Sequence, residues 1–250
     1  MLHLLVLIIV IALSGQPAAP PSPRTAVVIE LFTSEGCSSC PPADLLLSTL
    51  AREQPVPGVE IIPLGMHVTY WDQLGWKDPS ALKSATDRQQ AYGALWGGDR
   101  VYTPQAVIDG REELVGSDDA GVRKAIARAG REPHARLTFT AALDGDRAVT
   151  TLAVLDLPSQ IKEPLAVIVF VTEDGLSSVV KRGENGGRTL HHDAVVRFER
   201  FWGAAPGAKP VTITLSGMRR EWARDRLTAV AVLSGQKTHR IYGAATTPLK

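Results

Sequence analysis

Two short, almost continuous apolar runs near the N-terminal end constrain the fold of this chain most. Residues 26–32 (AVVIELF) and 59–68 (VEIIPLGMHV) are typical of strands that are covered on both faces. Between them, apolar residues recur with the spacing of an amphipathic helix: Ala43, Leu46, Leu47 and Leu50. A strand, a helix and a strand of these lengths predict a parallel pair with a right-handed crossover.

The next segment continues this alternation of helices and strands. Asp78-Pro79 provides an N-cap and an N1 proline for a second helix. Residues 105–116 predict a hairpin, and Ser117 is expected to cap a last amphipathic helix. The predicted order of elements is therefore βαβαββα, which is typical of an α/β domain.

The pattern changes near residue 132, where helical periodicity ends. Residues 136–143 (RLTFTAAL) alternate apolar and polar residues, and residues 164–171 (PLAVIVFV) predict a buried strand. We therefore expect two domains, an α/β domain over residues 24–131 and an all-β domain of sandwich type over residues 132–250.

Residues 1–23 predict a secretory leader and a linker. The apolar run Leu4–Leu13 is far shorter than the roughly 20 residues of a membrane-spanning helix. An uncleaved N-terminal anchor is the alternative, since the residues before the run include no Lys or Arg. In both cases the folded part faces an oxidising space. We expect a periplasmic or secreted protein, with no stable membrane span if the leader is cleaved.

The balance of charges argues against one class of partners. The chain contains 27 Lys and Arg residues and 26 Asp and Glu residues, with no block of one sign. A nucleic-acid partner is therefore not expected, because proteins that bind nucleic acids concentrate basic residues.

The chain has two cysteines, Cys37 and Cys40, which form a CxxC pair where the first strand turns into the first helix. Free backbone N–H groups and the positive end of the helix dipole stabilise a thiolate at such a position. We expect Cys37, the earlier and more exposed cysteine, to be the nucleophile and Cys40 to be the resolving thiol. The amides of residues 38–40 are expected to point at the Cys37 sulfur.

A structural clip is the alternative interpretation of this pair. By loop entropy, a bridge that closes about four residues stabilises a fold by only about 2 kcal/mol, against about 3 kcal/mol for a loop of about fifteen residues. Because this gain in stability is small, the short spacing favours a redox centre over a structural clip.

Two further features are expected to join the cysteines in space. Thr103-Pro104 opens the strand after the second helix, where a cis bond before Pro104 would face the Cys37 sulfur. Glu30 stands inside the first apolar strand, where a carboxylate is unexpected. Buried beneath the pair, it could take the proton of Cys40, its pKa raised by desolvation. A place at the solvated end of the strand is the alternative for Glu30.

Four stretches carry a family resemblance: ELFTSEGCSSCPPAD, HVTYWDQLGWKDP, VYTPQAVIDG and GENGGRTLHHDAVVR. They resemble the bacterial secreted family catalogued as domain-of-unknown-function family 1223, over nearly all of the chain after the leader. The order of elements, the CxxC pair and Thr103-Pro104 are also similar to the thioredoxin fold. The resemblance implies a thioredoxin-like domain followed by a β domain, without an established substrate. Gly36 stands where thioredoxins usually have Trp, and Ser38-Ser39 stands where they usually have Gly-Pro. These differences leave the direction of electron flow open.

Metal binding is the main chemical alternative. A structural zinc site needs four ligands, of which one CxxC pair supplies two. His67 ends the second strand at the sheet edge of the cysteines, so Cys37, Cys40 and His67 could bind Cu(I), which prefers soft thiolates. His191 and Asp193 form a weaker candidate pair in a glycine-rich region that predicts a loop.

Together these patterns predict a thiol-disulfide oxidoreductase that exchanges disulfides with protein thiols and an unidentified redox partner, without a cofactor. The β domain is expected to select or present the partner. A copper carrier and a non-catalytic interaction module are the alternatives. Aromatic and acidic residues expected either to line the redox cleft or to plug the core are Trp71, Asp72, Trp76 and Tyr102.

Overall fold

The computed structural model describes residues 24–98 and 101–250, and the predicted leader lies outside these residues. No helix in the described part of the chain is long and apolar enough to span a membrane. The strands are β1 Thr25–Thr33, β2 Val59–His67, β3 Gln105–Ile108, β4 Glu112–Val115, β5 Arg136–Asp144, β6 Arg147–Asp156, β7 Leu165–Glu173, β8 Leu176–Val179, β9 Thr189–His192, β10 Val195–Ala204, β11 Val211–Ser216, β12 Leu227–Gly235 and β13 Ile241–Pro248. The α-helices are α1 Pro41–Glu53, α2 Lys83–Leu95 and α3 Asp119–Ala129, and short 3-10 helices span Asp72–Leu74 and Arg224–Arg226.

Eight strands form one mixed sheet in the order β13-β12-β7-β10-β2-β1-β3-β4. Strand β1 runs parallel to β2 and antiparallel to β3. Strand β10 joins the edge of β2, so strands from both sides of residue 132 share this sheet. A three-stranded sheet of order β11-β6-β5 and a two-stranded β8-β9 ribbon contain the other described strands.

This large sheet corrects the predicted fold class. The expected α/β thioredoxin-like domain (βαβαββα) followed by a separate all-β sandwich-type domain is wrong, because β1 to β4 do not form a sheet of their own. An apolar run indicates a buried strand but does not identify its neighbours. The predicted boundary after residue 131 falls between α3 and β5, and separate folding of the two parts stays a prediction.

Both faces of the large sheet are buried, as alternate residues of β7 show. Val167, Val169 and Val171 pack against the three-stranded sheet, whereas Ile168 and Phe170 lie in the core shared with α2. This double burial explains why the β7 sequence is a continuous apolar run and not an alternating one.

Strand β1 is divided between two helix layers in the same way. Ile29 and Leu31 face α1 and α3, whereas Val28 and Phe32 face α2. Because side chains alternate along a strand, Glu30 points to the α2 side, away from α1.

Local signals account for the hairpin but misplace two helix starts. The predicted hairpin is confirmed, with Asp109 and Gly110 at φ values of 47° and 59° in a tight turn between β3 and β4. Helix α3 has Asp118 as its N-cap instead of Ser117. Helix α2 begins at Lys83 and not near Asp78, because the Asp78 carboxylate binds groups on other elements.

Gly65 lies where β2 meets β10, and its N–H donates to the Ala194 carbonyl at 2.8 Å. A Cβ on Gly65 would lie 3.3 Å from that oxygen. We expect Gly65→Val to lower the free energy of unfolding by about 1–3 kcal/mol, because overpacking pushes the two strands apart. Urea denaturation measures the change. Gly207→Val is the control, since a Cβ there has no atom within 4 Å, and equal losses in both variants would contradict the argument.

Candidate functional site

The sulfurs of Cys37 and Cys40 form a disulfide at the junction of β1 and α1. Cys40 is the N-cap residue of α1, and its carbonyl accepts hydrogen bonds from the amides of Ala43 and Asp44. Both cysteines have an exposed fraction of 0%. The expectation that Cys37 is the more exposed cysteine is therefore wrong for the disulfide form.

The amides around the bridge bind groups other than the Cys37 sulfur. The Ser38 amide donates to the Glu184 carboxylate at 2.9 Å, and the Cys40 amide donates to the Cys37 carbonyl at 3.2 Å. The prediction that these two amides point at the Cys37 sulfur is therefore wrong for the disulfide form.

Residues 180–188, which connect β8 to β9, cover the disulfide and are called the cover segment. Asn185 is fully buried, and its amide nitrogen donates to the carbonyls of Glu35 and Cys37, both at 2.9 Å. Arg188 donates to the Asn185 side-chain oxygen at 2.8 Å. Gly183, which has a φ of 75°, packs against Trp76. The cover segment therefore closes the site from a part of the chain that is far away in sequence.

Five ionisable side chains are buried beside the disulfide and form what we call the buried ionisable cluster: Glu35, Asp44, His67, Asp78 and His192. They come from the loop after β1, from α1, from the end of β2, from the segment before α2, and from β9. Such a concentration of buried charge indicates a functional site more often than a structural one.

His67 and Asp78 form the tightest contact of this cluster, with Nδ1 and Oδ2 at 2.7 Å. Burial lowers the pKa of His67, but the carboxylates of Asp78, Asp44 and Glu35 together outweigh burial and raise that pKa above its ordinary value. Burial also opposes ionisation of Asp78, but His67 and the amides of Glu35 and Ser80 together outweigh it and lower the pKa of the carboxyl. Each group of the pair therefore favours the charged form of the other.

Asp44 lies one helical turn after Cys40, on the same side of α1. Its Oδ1 accepts a hydrogen bond from the Thr33 hydroxyl at 2.8 Å. Burial raises the pKa of Asp44, and the imidazoles of His192 and His67 offset only part of this effect. Asp44 is thus a buried carboxyl that holds a proton more readily than an exposed aspartate does.

Glu35 connects the cluster to the cover. Its Oε2 accepts hydrogen bonds from the Trp76 indole at 2.7 Å and from the Ser178 hydroxyl at 3.0 Å. Its other oxygen lies 3.5 Å from His192 Nε2. Glu35 therefore links the loop before Cys37 to both β8 and β9.

Thr103 and Pro104 reach the site through other residues. Their peptide bond is cis, as the sequence predicts. Thr103 Oγ1 accepts from the Trp71 indole at 2.8 Å, and Trp71 packs over Gly36, where an added Cβ would lie 3.2 Å from the Trp71 Cβ. A Cβ added at Gly116 would contact both Pro104 and the first turn of α1, which brings Pro104 beside the start of that helix.

Glu30 is fully buried in the middle of β1, so the alternative of a solvated strand end is wrong. Its carboxylate accepts hydrogen bonds from the Arg88 guanidinium and from the Tyr92 hydroxyl, the latter at 2.6 Å. These partners belong to α2, on the sheet face opposite to α1. Asp44, which the sequence interpretation overlooked, is the buried carboxyl on the same helix as Cys40.

A family model described as a protein of unknown function, DUF1223, matches residues 28–234. The chain belongs to this family. A structural-genomics target protein from Agrobacterium tumefaciens is similar, with 26% identity and a TM-score of 0.66 over 89% of this chain and 94% of that one. HBP35 of Porphyromonas gingivalis has a similar fold, with 17% identity and a TM-score of 0.63 over 92% of this chain and 77% of that one. A comparison with curated proteins finds no match.

The structure of this DUF1223 protein does not assemble the alternative Cu(I) ligands. Cys37 and Cys40 are bonded to each other, and Nδ1 of His67 is bonded to Asp78. Within residues 24–98 and 101–250, no three His, Cys, Asp or Glu side chains are placed to hold a metal ion. The copper site of Cys37, Cys40 and His67 is therefore not formed in the disulfide state.

Some of the other predicted site residues lie near the buried ionisable cluster, and one does not. Asp72 accepts from the Asp78 amide at 3.1 Å and so lies near the cluster with Trp71 and Trp76. Tyr102 lies apart, since its hydroxyl binds Glu113.

The region of His191 and Asp193 includes a strand, β9, where the sequence predicts a loop. His191 is exposed, and Asp193 accepts from the Gly175 amide at 2.9 Å. The buried histidine is their neighbour His192, which sequence reasoning missed. The sequence offered one signal of the cover segment, namely a polar residue, Asn185, inside a glycine-rich turn close to these two histidines.

Asn185→Ala should open the cover, because each of its two hydrogen bonds contributes about 0.5–1.5 kcal/mol. We expect the Cys37–Cys40 bond to be reduced by a phosphine about tenfold faster in this variant. Stopped-flow measurement of thiol release gives the rates. Lys181→Ala, at an exposed position of the same segment, is the control. An unchanged rate for Asn185→Ala would show that the cover does not limit access.

The His67–Asp78 pair should make stability depend on pH in a defined window. The raised pKa of His67 means that its contribution is present below about pH 6.5 and is lost as pH rises through the folded value. The lowered pKa of Asp78 means that its contribution is present above about pH 4 and is lost as pH falls. The loss of unfolding free energy in Asp78→Asn should therefore be largest between about pH 4 and pH 6.5.

Urea unfolding of the wild type and Asp78→Asn across this range measures the effect. Asp87→Asn, which removes an exposed partner of Lys83, is the control and should change stability little at any pH. A loss in Asp78→Asn that does not vary with pH would show that the pair is not ionised.

Proposed function

We propose that this protein is a thiol-disulfide oxidoreductase of the periplasm or secreted space that exchanges disulfides with protein thiols through Cys37 and Cys40. The observation that carries the proposal is the position of the Cys37–Cys40 bridge, which lies at the start of α1 next to the buried ionisable cluster. Thiol exchange needs groups that give and take protons close to sulfur, and the cluster supplies them.

In the exchange, the Cys37 thiolate attacks a substrate disulfide, and one substrate sulfur leaves as a thiolate. The Cys40 sulfur then attacks Cys37, the mixed disulfide breaks, and the second substrate sulfur leaves. Two electrons pass from the protein dithiol to the substrate, and the Cys37–Cys40 bond forms. The same steps in reverse oxidise a substrate dithiol, and a second dithiol or disulfide protein restores the starting form.

Burial of both sulfurs adds a requirement to this proposal. A protein substrate reaches Cys37 only after Asn185 releases the Glu35 and Cys37 carbonyls. The cover segment lies beyond residue 132, so the second half of the chain would control which partners reach the cysteines. This supports the expectation that the C-terminal half selects the partner.

Reaction of the reduced protein with oxidised glutathione tests the proposed exchange. The wild type should react faster than a free dithiol and release both glutathione molecules. Cys37→Ser should abolish this reaction, whereas Cys40→Ser should accumulate a mixed disulfide on Cys37, which mass spectrometry detects.

Glu53→Gln, which changes an exposed side chain at the far end of α1, is the control and should retain the wild-type rate. A wild type no faster than the free dithiol would mean that the bridge is a structural clip that fastens the loop beneath the cover.

A further inference from the structure

His192 is a buried imidazole whose two nitrogens both lack a hydrogen-bond partner. Its exposed fraction is 4%. Leaving a buried polar atom without a partner costs about 1–3 kcal/mol, so a protein keeps such a group only where it gains something else.

The titratable groups around His192 come from the loop after β1, from α1, from the end of β2 and from the segment before α2, whereas the neighbouring β8 places Leu176 beside it. Nε2 lies 3.5 Å from Glu35 Oε1, and Nδ1 lies 3.6 Å from Asp44 Oδ2. The ring of His67 meets it edge-on, with centroids 4.8 Å apart, and Asp78 lies behind His67. Both carboxylate contacts are slightly too long for hydrogen bonds, so a small rotation of the ring brings either nitrogen within bonding distance.

Asp44 connects His192 to the cysteines. Its amide donates to the Cys40 carbonyl, and residues four apart on a helix carry their Cβ atoms about 5–6 Å from each other. Thr33 occupies Oδ1 of Asp44, which leaves Oδ2 facing His192. The raised pKa of Asp44 is consistent with a carboxyl that carries a proton for part of a reaction cycle.

A cleft connects the same residues to solvent. It has a volume of about 300 Å³ and opens between α1 and β9. Its lining includes Asp44, Ser48 and Arg52 from the helix and Arg188, His191 and His192 from the other side. Asp44 and His192 thus both border a path to water, and the imidazole lies on the opposite wall of the cleft from the carboxyl.

We propose that His192 relays protons between Asp44 and this cleft during exchange at Cys37–Cys40, an inference that rests on the proposed function. When a substrate thiolate attacks the Cys37 sulfur, a mixed disulfide forms, the electron pair of the broken Cys37–Cys40 bond leaves with Cys40, and Asp44 gives its proton to the Cys40 thiolate. The Asp44 carboxylate takes a proton from the His192 imidazolium, and water in the cleft restores that proton. Oxidation reverses each transfer. His192 acts through Asp44 and is therefore a positioning residue.

The pH dependence of exchange tests the relay. His192→Gln removes the titrating ring and should slow reaction of the reduced protein with oxidised glutathione roughly tenfold near neutral pH, below the about 10²-fold of direct general acid-base catalysis. At alkaline pH, where the thiol ionises without help, the rate should equal that of the wild type. Ser177→Gln, which changes an exposed residue of the neighbouring strand β8 outside this cleft, is the matched control and should follow the wild-type profile.

A slowing by the same factor at every pH would assign His192 a structural role and overturn the relay. A second measurement does not depend on exchange activity or on a variant of His192. The ring NMR signals of His192 at a fixed pH should differ between the oxidised and reduced wild type, because reduction creates an ionisable thiol at Cys40, beside the Asp44 carboxyl that faces His192. The ring signals of His134, which contacts Asp109, should be the same in both forms.

Identical ring signals of His192 in both forms would overturn the relay even if exchange is fast. Changed His192 signals in a protein that exchanges no faster than a free dithiol would instead support the coupling and reject the proposed function.

Discussion

One buried carboxylate, that of Asp78, holds together three parts of the chain that the sheet does not join directly. It accepts hydrogen bonds from the amides of Glu35 and Ser80 and forms an ion pair with His67. A carboxylate at this depth is tolerated only when donors and an opposite charge surround it. The loop before Cys37, the end of β2 and the segment before α2 therefore keep one common arrangement.

This arrangement affects the protonation of the carboxyl groups in the buried ionisable cluster. Three carboxylates and two imidazoles lie buried together, so full ionisation would leave at least one negative charge without a partner. Burial raises the pKa of Asp44, and the neighbouring Asp78 carboxylate adds to this effect, while His192 and His67 oppose it. Asp44 is therefore the carboxyl of the cluster that burial most favours in its protonated form.

Sequence reasoning succeeded where the determining signals are local. The placement of the CxxC pair at a helix start, the burial of Glu30 and the Asp109-Gly110 hairpin each depend on a few neighbouring residues. It failed where a partner lies far along the chain. The apolar run of β7 does not reveal that its neighbours are β10 and β12, and nothing near Cys37 indicates that Asn185, 148 residues later, binds its carbonyl.

That separation has a consequence for the making of the protein. A chain emerges from the ribosome or a translocation channel from its N-terminal end, and contacts form in roughly that order. In the proposed periplasmic or secreted location, Cys37 and Cys40 reach the oxidising compartment well before the cover segment does. Their first oxidation can then take place on an open nascent chain, and the restricted access of the folded protein arises only when its last third has arrived.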